Sequence, residues 1–283
     1  MTYLTQVLPT AGGHKITARL YLPQAESQAV VIIASATGVA QRHYEDFARW
    51  LSCQGYTAVT FDYDGIGESV DRHVKRSQAT MLSWARYDCP AVLDYVAQTF
   101  PQQRRIWLGH SVGGHLLGMM DSTDRIDRAI TVAAGSGYWL HNSPPTKRVA
   151  WLIWYLLVPT VVPVAGYFPG DRLNIMCDLP KGVMMQWRKW CLHPRYVVGV
   201  EGEALAQRFA SVDIPITALR FSDDEMMSRR SIETLHGFFT GAPKKMVTIE
   251  PADIGQKRIG HIGWHKNRYR ALWERYILDE LAA

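Results

Sequence analysis

The feature that most constrains this chain is a Gly-x-Ser-x-Gly turn at Gly109-His-Ser-Val-Gly113, preceded by an apolar run and followed by a glycine-rich, helix-like segment. On such a strand-to-helix turn a serine is held in a strained backbone conformation, with its Oγ exposed above a sheet. Glycine two residues to either side lets neighbouring backbone approach closely. The helix that begins there directs its free N–H groups and positive dipole end at a reacting carbonyl oxygen. Ser111 is therefore predicted as a nucleophile, in preference to a structural serine in a glycine-rich turn.

Apolar runs typical of covered strands recur along the chain and alternate with helix-like segments. They lie at 29–34, 57–62, 105–110, 128–134, 214–219 and 246–249. Two more alternating segments, at 3–8 and 15–22, precede them and suit an antiparallel edge. The pattern predicts the α/β class, with a mostly parallel central sheet flanked by helices.

The amino-acid composition of the chain and its alternating α/β pattern change at about Gly137. Residues 138–211 hold five of the ten tryptophans and many prolines, and the α/β pattern resumes after them. We predict a helical cap at 138–211, inserted between two core strands, and a core formed by 1–137 and 212–283. Because large aromatic side chains supply broad apolar contact, Trp187 and Trp190 of the cap are predicted to bind substrate.

The stretch 149–168 in the cap carries no charge and is long enough to span a bilayer. Pro159 and Pro163 are expected to break it, and no second span accompanies it. The favoured interpretation is a cap helix packed over the active site. A transmembrane helix and a weak association with a membrane surface through 149–168 stay open as alternatives.

Several motifs resemble those of one superfamily. Gly109-His-Ser-Val-Gly-Gly114 resembles the nucleophile elbow of the α/β hydrolases, and Asp62-Tyr-Asp-Gly-Ile-Gly-Glu-Ser69 is similar to their D-Y-R-G-x-G-x-S turn, with Asp64 in place of the arginine. The resemblance is to the serine aminopeptidase and monoacylglycerol-lipase-like branch. Further motifs, at 166–170, 186–190 and 260–263, are similar to bacterial predicted hydrolases of unsettled substrate. The resemblance implies an α/β-hydrolase fold and a serine, acid and histidine in that chain order.

The acid and the base occupy the places that this order requires. The resemblance puts the acid on Asp224, with Asp223 as its competitor, and the competing carboxylate is expected to face solvent. The base is expected on His261, in a glycine-flanked loop before the last helix, where it would accept the serine proton. His265 is expected at the start of that helix with its ring pointing away.

An oxyanion hole needs two backbone N–H groups where negative charge develops. Val112, directly after the nucleophile, is expected to supply one. Aligning a Tyr-Glu-x-x-Ala pattern on Tyr44 implies that Thr37 supplies the other, although Ser35-Ala36 stands where relatives carry His-Gly.

Net charge, motif content and cysteine number indicate which partners and cofactors the chain is not expected to bind. The net charge of +5 comes from scattered basic residues, so nucleic acid is not expected as a partner. No metal-ligand cluster or phosphate-binding glycine loop is recognisable, so neither a metal nor a cofactor is predicted. The four cysteines suggest no disulfide framework, and the N-terminus shows no secretory signal, so a reduced cytoplasmic protein is expected. The oligomeric state stays open.

The sequence therefore predicts a serine hydrolase that cleaves carboxylic esters of apolar or aromatic substrates through an acyl-enzyme. A thioesterase, an amidase or aminopeptidase and an acyltransferase would use the same triad and stay open. An aminopeptidase would need an acidic group in the cap to hold the substrate amine. The candidates for that group are Asp171, Asp178, Glu201 and Glu203. A non-catalytic ligand- or lipid-binding protein of hydrolase fold is the alternative from a different class.

Overall fold

The computed structural model describes residues 3–283, and its framework is an eight-stranded sheet. The ten strands are β1 (Leu4–Pro9), β2 (Lys15–Tyr21), β3 (Ala29–Ala34), β4 (Thr57–Phe61), β5 (Arg104–His110), β6 (Arg128–Val132), β7 (Tyr167–Phe168), β8 (Leu179–Pro180), β9 (Ile216–Phe221) and β10 (Lys244–Ile249). In the sheet they follow the order β1-β2-β4-β3-β5-β6-β9-β10, and β7 and β8 form a separate two-stranded ribbon. The β1–β2 and β2–β4 pairs are antiparallel and the other pairs of the large sheet are parallel. The mostly parallel sheet predicted from the sequence is confirmed.

Helices connect the strands and flank the sheet. They are α1 (Glu45–Cys53), α2 (Met81–Ser83), α3 (Cys89–Thr99), α4 (Val112–Leu116), α5 (Pro144–Leu152), α6 (Val158–Ala165), α7 (Lys181–Leu192), α8 (Tyr196–Glu201), α9 (Glu203–Ser211), α10 (Arg229–His236), α11 (Arg270–Leu272) and α12 (Leu278–Ala282). Short π-helical stretches join three pairs of them, at Trp84–Asp88, Ile153–Leu157 and Trp273–Ile277.

The continuous apolar run of β3 reflects burial on both faces of the sheet. Val30 and Ile32 belong to the cluster that also contains residues of α3, α4 and α9. Val31 and Ile33 belong to the opposite cluster, with residues of α1 and of the C-terminal helices. Since side chains alternate along a strand, a strand covered on both faces needs apolar residues at every position.

The predicted cap segment, residues 138–211, lies between strands β6 and β9 of the sheet. It contains α5 to α9 and the β7–β8 ribbon. Its buried residues Trp154, Met184 and Phe209 share one apolar cluster with Leu116 of the core. The segment is thus packed against the sheet layer by apolar contacts.

The prediction that Pro159 and Pro163 interrupt the cap helix is wrong. Helix runs without a break from Pro144 to Ala165. Pro159 lies in the first turn of α6, directly after a π-helical stretch, where its missing N–H is tolerated. The Trp154 carbonyl instead accepts a hydrogen bond of 2.5 Å from Nε of Arg188, on α7. A donor from a neighbouring helix therefore satisfies a carbonyl in the turn that precedes Pro159.

Candidate active site

Ser111 lies at the sharp turn between β5 and α4, at the edge of the sheet where the parallel strands end. Its backbone has φ 52° and ψ −116°, a strained conformation for a residue with a side chain. The flanking glycines make the turn sterically feasible. A Cβ on Gly113 would lie 2.2 Å from the carbonyl oxygen of Ala34, and one on Gly109 would lie 2.5 Å from the backbone of Gly113. The spacing of the motif is therefore explained by close backbone packing on β3.

The structure brings three sequence-predicted residues together in one hydrogen-bonded row. His261 Nε2 lies 3.2 Å from Ser111 Oγ, and His261 Nδ1 lies 2.9 Å from Asp224 Oδ2. All three side chains are largely or fully buried. The other Asp224 oxygen accepts hydrogen bonds from the N–H groups of Met226 and Met227, at 2.7 and 2.8 Å. These bonds orient the carboxylate toward the imidazole. In this arrangement the imidazole of His261 can take the proton of the Ser111 hydroxyl.

Asp223, the competitor, was expected to face solvent, and that expectation is wrong. Its carboxylate accepts hydrogen bonds from the backbone N–H groups of Ile259, at 2.8 Å, and Gly260, at 3.3 Å. Glu225 accepts one from the His261 N–H at 3.1 Å and is paired with Arg258 at 3.2 Å. Two carboxylates of the loop after β9 (residues 222–228, the acid loop) thus accept hydrogen bonds from the backbone of the loop after β10 (residues 250–266, the histidine loop).

The protonation equilibrium of His261 reflects two opposing effects. Burial disfavours the charged imidazolium and would lower the pKa, but the charge and hydrogen bond of Asp224 raise it above the ordinary 6.5 overall. His261 must lose its proton to act as a base. A rate that depends on this base will therefore rise with pH through a value above 6.5.

The two predicted oxyanion donors belong to two different segments near Ser111. Thr37, in the loop after β3, lines the same cavity as Ser111, and Val112 is the first residue of α4. Of the residues that the structure describes, none accepts a hydrogen bond from either backbone N–H. Both amides are therefore free to bind a developing oxyanion, and their role as donors stays a prediction.

A buried row of hydrogen bonds that sequence reasoning did not identify connects the loop after β3, the turn at Ser111 and the loop that carries His261. The Ala36 N–H donates to the Tyr44 hydroxyl at 2.9 Å, which lies 2.7 Å from His110 Nδ1. His110 Nε2 lies 3.0 Å from the His261 carbonyl oxygen. Burial holds the pKa of His110 well below 6.5, with the nearby His261 and His265 adding to the effect. Neutral His110 can therefore accept at Nδ1 and donate at Nε2, so Tyr44 and His110 position three loops.

Replacing Tyr44 by phenylalanine is expected to lower kcat by about ten- to a hundredfold with little change in KM, since it loosens the three loops. It should also lower the free energy of unfolding by about 1–3 kcal/mol, because Ala36 and His110 lose a buried partner. Steady-state kinetics and urea denaturation measure the two effects. Tyr95→Phe, on α3 and away from this row, is the control. Equal kcat in Tyr44→Phe and the control would contradict the positioning role.

Two adjacent cavities lie near the serine turn, and Ser111 lines one of them. The larger, of about 510 Å³, contains Ser111, Thr37 and His261 in its wall. The smaller, of about 200 Å³, is mainly apolar and lies between α5, the π-helical stretch that follows it, α7 and the segment 226–227 before α10. The two share four lining residues, Ile175, Met176, Trp187 and Met226. An apolar group could therefore enter the smaller cavity while its carbonyl faces Ser111.

The two cap tryptophans predicted to bind substrate differ in position. Trp187 lines both cavities. Trp190 is fully buried and lines neither, and its Nε1–H donates to Glu201 at 2.7 Å. The prediction for Trp190 is therefore wrong. The residues are three apart on α7, but the second one faces the interior of the cap.

His265 is placed differently from expectation. Its ring was expected to point away, yet it lines the larger cavity and lies 4.7 Å from the ring of Tyr44. Burial, with a contribution from His43, lowers its pKa to about 4, so it is neutral at pH 7. The expectation failed because a loop and a 3₁₀ turn at Asn267–Tyr269 precede the last helix, which begins at Arg270. Within residues 3–283 no group of three or more His, Cys, Asp or Glu is arranged to hold a metal ion.

The strand order and the serine turn define the class of an α/β hydrolase, and the comparisons with known proteins agree. The family described as serine aminopeptidase, S33, matches residues 25–176, which is more than half of the chain. The chain belongs to this family. The match includes the loop after β3 and the turn at Ser111, and it ends before Asp224 and His261.

Solved structures of similar fold include several esterases. A thermostable carboxyl esterase from Bacillus coagulans is 13% identical, with a TM-score of 0.62, and the match covers 88% of this chain and 90% of the esterase. Est1E from Butyrivibrio proteoclasticus is 16% identical, with a TM-score of 0.58 and 99% of each chain covered. A cold-adapted esterase from an Arctic intertidal metagenomic library is 18% identical, with a TM-score of 0.54 and 96% and 92% covered. At these identities the likeness concerns the fold, which is that of the α/β hydrolases.

Proposed function

We propose that this protein is a serine hydrolase that cleaves carboxylic esters of apolar or aromatic substrates through an acyl-enzyme. The observation that carries the proposal is the row from Asp224 through His261 to Ser111, beside a mainly apolar cavity. A protein that only binds a ligand has no need of all three groups in hydrogen-bond contact.

In the acylation half, Ser111 Oγ attacks the ester carbonyl carbon while His261 Nε2 takes the hydroxyl proton. Asp224 holds the imidazole in the tautomer that can accept this proton and stabilises the imidazolium that forms. The oxyanion is bound by the N–H groups of Thr37 and Val112. As the tetrahedral intermediate collapses, His261 gives its proton to the departing alkoxide, and the alcohol leaves.

In the deacylation half, water takes the place of the alcohol. His261 removes a proton from the water, whose oxygen attacks the acyl carbon and gives a second oxyanion at the same donors. Collapse breaks the bond to Ser111, which recovers its proton from His261. The acid product leaves and the enzyme returns to its starting state.

A second candidate activity is aminopeptidase, which one observation favours. Of the acidic residues in the cap considered for binding a substrate amine, Asp171 lines the cavity that contains Ser111. Glu201 is already engaged by Trp190 and Gln186. Lys266 lines the same cavity and opposes the capture of a cation there, so the ester reaction is preferred.

A set of matched substrates tests the proposal. We would compare one octanoyl group as a p-nitrophenyl ester, a thioester and an anilide, together with leucine p-nitroanilide. The ester is expected to have the highest kcat/KM. A higher kcat/KM for leucine p-nitroanilide, lost in Asp171→Asn, would favour the aminopeptidase. No turnover of any substrate by a folded protein would contradict both activities.

The smaller cavity is expected to set the preferred length of the acyl chain. Its volume of about 200 Å³ holds roughly seven groups the size of a water or methylene. Ile153, half-buried on the π-helical stretch of the cap helix, lines it. Ile153→Ala should move the optimum to longer chains and Ile153→Phe to shorter ones, each by about tenfold in the ratio of kcat/KM values for decanoyl and butanoyl esters. Acetyl ester turnover serves as the internal control, and equal ratios in both variants would contradict this assignment.

A further inference from the structure

The helix from Pro144 to Ala165 has two apolar faces, and only one of them is packed. Its inward stripe, at intervals of four residues, consists of Ala150, Trp154, Val158 and Val162, all buried in the cap. Residues four apart lie on one face of a helix. The buried stripe attaches the helix to the rest of the protein. The apolar residues of the opposite face take no part in this packing.

The opposite face is large, apolar and exposed. Its exposed side chains are Trp151 (53%), Leu152 (42%), Tyr155 (55%), Leu156 (54%) and Val164 (87%). Only 22% of the most apolar window of the helix is buried, although the helix is long and apolar enough to cross a bilayer. Contiguous exposed apolar surface of this kind marks a site of interaction with a protein or a membrane.

The charge around this face favours an anionic surface. Lys147 and Arg148 are exposed near the start of the helix. The chain has no acidic residue between Asp127 and Asp171, so the charged residues of the helix itself and of the sequence segments next to it are all basic. Basic residues next to an apolar helix face are attracted to anionic headgroups. Trp151 and Tyr155 add amphipathic rings, which favour the boundary between headgroups and acyl chains.

The packing of the inward stripe opposes a transmembrane orientation. Trp154 is buried, and its carbonyl accepts the hydrogen bond from Arg188 of α7. A spanning helix would have to give up both contacts and carry the adjoining cap into lipid. A helix that lies in the plane of the membrane surface keeps them.

From this combination we propose that the exposed face of Pro144–Ala165 docks the protein on the surface of an anionic lipid bilayer. Docking does not depend on catalysis. If the proposed ester hydrolysis holds, docking has a further consequence, because Ile153 and Leu157 of the same helix line the smaller cavity. An apolar ester dissolved in the bilayer would then be close to the cavity that is expected to receive its acyl chain.

Vesicle sedimentation tests the proposal. The wild type and Ser111→Ala should both sediment with phosphatidylcholine vesicles that contain phosphatidylglycerol, and less with phosphatidylcholine alone. The triple variant Trp151→Gln, Leu152→Gln, Leu156→Gln should bind at least about tenfold more weakly, because the apolar face is lost. Lys147→Gln with Arg148→Gln should lose the preference for phosphatidylglycerol. Leu4→Gln with Val7→Gln, exposed apolar residues of β1, is the matched control and should bind as the wild type does.

Two readouts separate the outcomes. Turnover of a water-soluble acetyl ester shows whether the triple variant is folded, since none of its three residues lines a cavity described above. Binding by the triple variant equal to that of the wild type would overturn the proposal. Absence of wild-type binding, with a dimer in light scattering that the triple variant abolishes, would assign the face to a second copy of the chain instead. Loss of ester turnover in Ser111→Ala with retained sedimentation would separate docking from catalysis.

Discussion

Replacing Ser111 by alanine is expected to lower kcat for a p-nitrophenyl ester on the order of 10⁶-fold. Alanine has no oxygen to attack the carbonyl, so His261 is left without a nucleophile to activate. Residual turnover would come from the oxyanion donors and from binding alone. The variant should also lose covalent labelling by a fluorophosphonate, while its unfolding transition in urea stays close to that of the wild type.

The control for this prediction is a serine of the same region that lies outside the hydrogen-bonded row. Ser222→Ala, on the exposed part of the acid loop, should be labelled and turn over ester like the wild type. Retained turnover in Ser111→Ala, after contaminating activity has been excluded by a mock purification, would mean that the nucleophile is elsewhere.

Asp224→Asn is expected to lower kcat/KM by about 10⁴-fold, because asparagine favours the wrong imidazole tautomer and cannot stabilise the imidazolium. A second effect appears in the pH profile. Burial lowers the pKa of His261, and the charge of Asp224 raises it above 6.5. Without that charge, His261 loses its proton at lower pH. The acidic limb of kcat/KM should therefore lie above pH 6.5 in the wild type and move to lower pH in Asp224→Asn.

Asp223→Asn is the matched control for the neighbouring carboxylate. Because Asp223 bonds to the backbone of the histidine loop and not to the imidazole, its replacement should lower the free energy of unfolding and leave the acidic limb in place. A limb that moves in Asp223→Asn and not in Asp224→Asn would reverse the assignment of the acid.

The elements that could be predicted from the sequence are those in which a local pattern has one physical solution. The continuous apolar run of β3 fits only a strand covered on both faces, and the turn around Ser111 needs glycine because its backbone touches that of Ala34. The meeting of Ser111, Asp224 and His261 follows from their positions after strands that end at one edge of a sheet.

The predictions that failed concern side chains whose direction depends on tertiary contacts. Trp190 follows Trp187 by three residues, and only the packing of α7 decides that it faces inward. Asp223 is half-buried because the backbone of the histidine loop, distant in the sequence, offers it two N–H groups. Pro159 is tolerated directly after a π-helical stretch, in a region where Arg188 from another helix donates to the Trp154 carbonyl. None of these partners can be identified from spacing along the chain.

The row of bonds through Tyr44 and His110 is a similar case. Tyr44 belongs to the Tyr-Glu-x-x-Ala pattern, and His110 lies directly before Ser111. Their joint role depends on the Ala36 N–H and the His261 carbonyl, which reach them only in the folded chain.

Rapid acid quenching during turnover of a p-nitrophenyl ester, followed by mass spectrometry of the protein and its peptides, tests the central claim most directly. If Ser111 forms an acyl-enzyme, a fraction of the quenched protein gains the mass of one acyl group, located on the peptide that contains Ser111, and Ser111→Ala gains none. An acyl group on a different residue, or turnover without any acylated protein under burst conditions, would contradict the proposed mechanism.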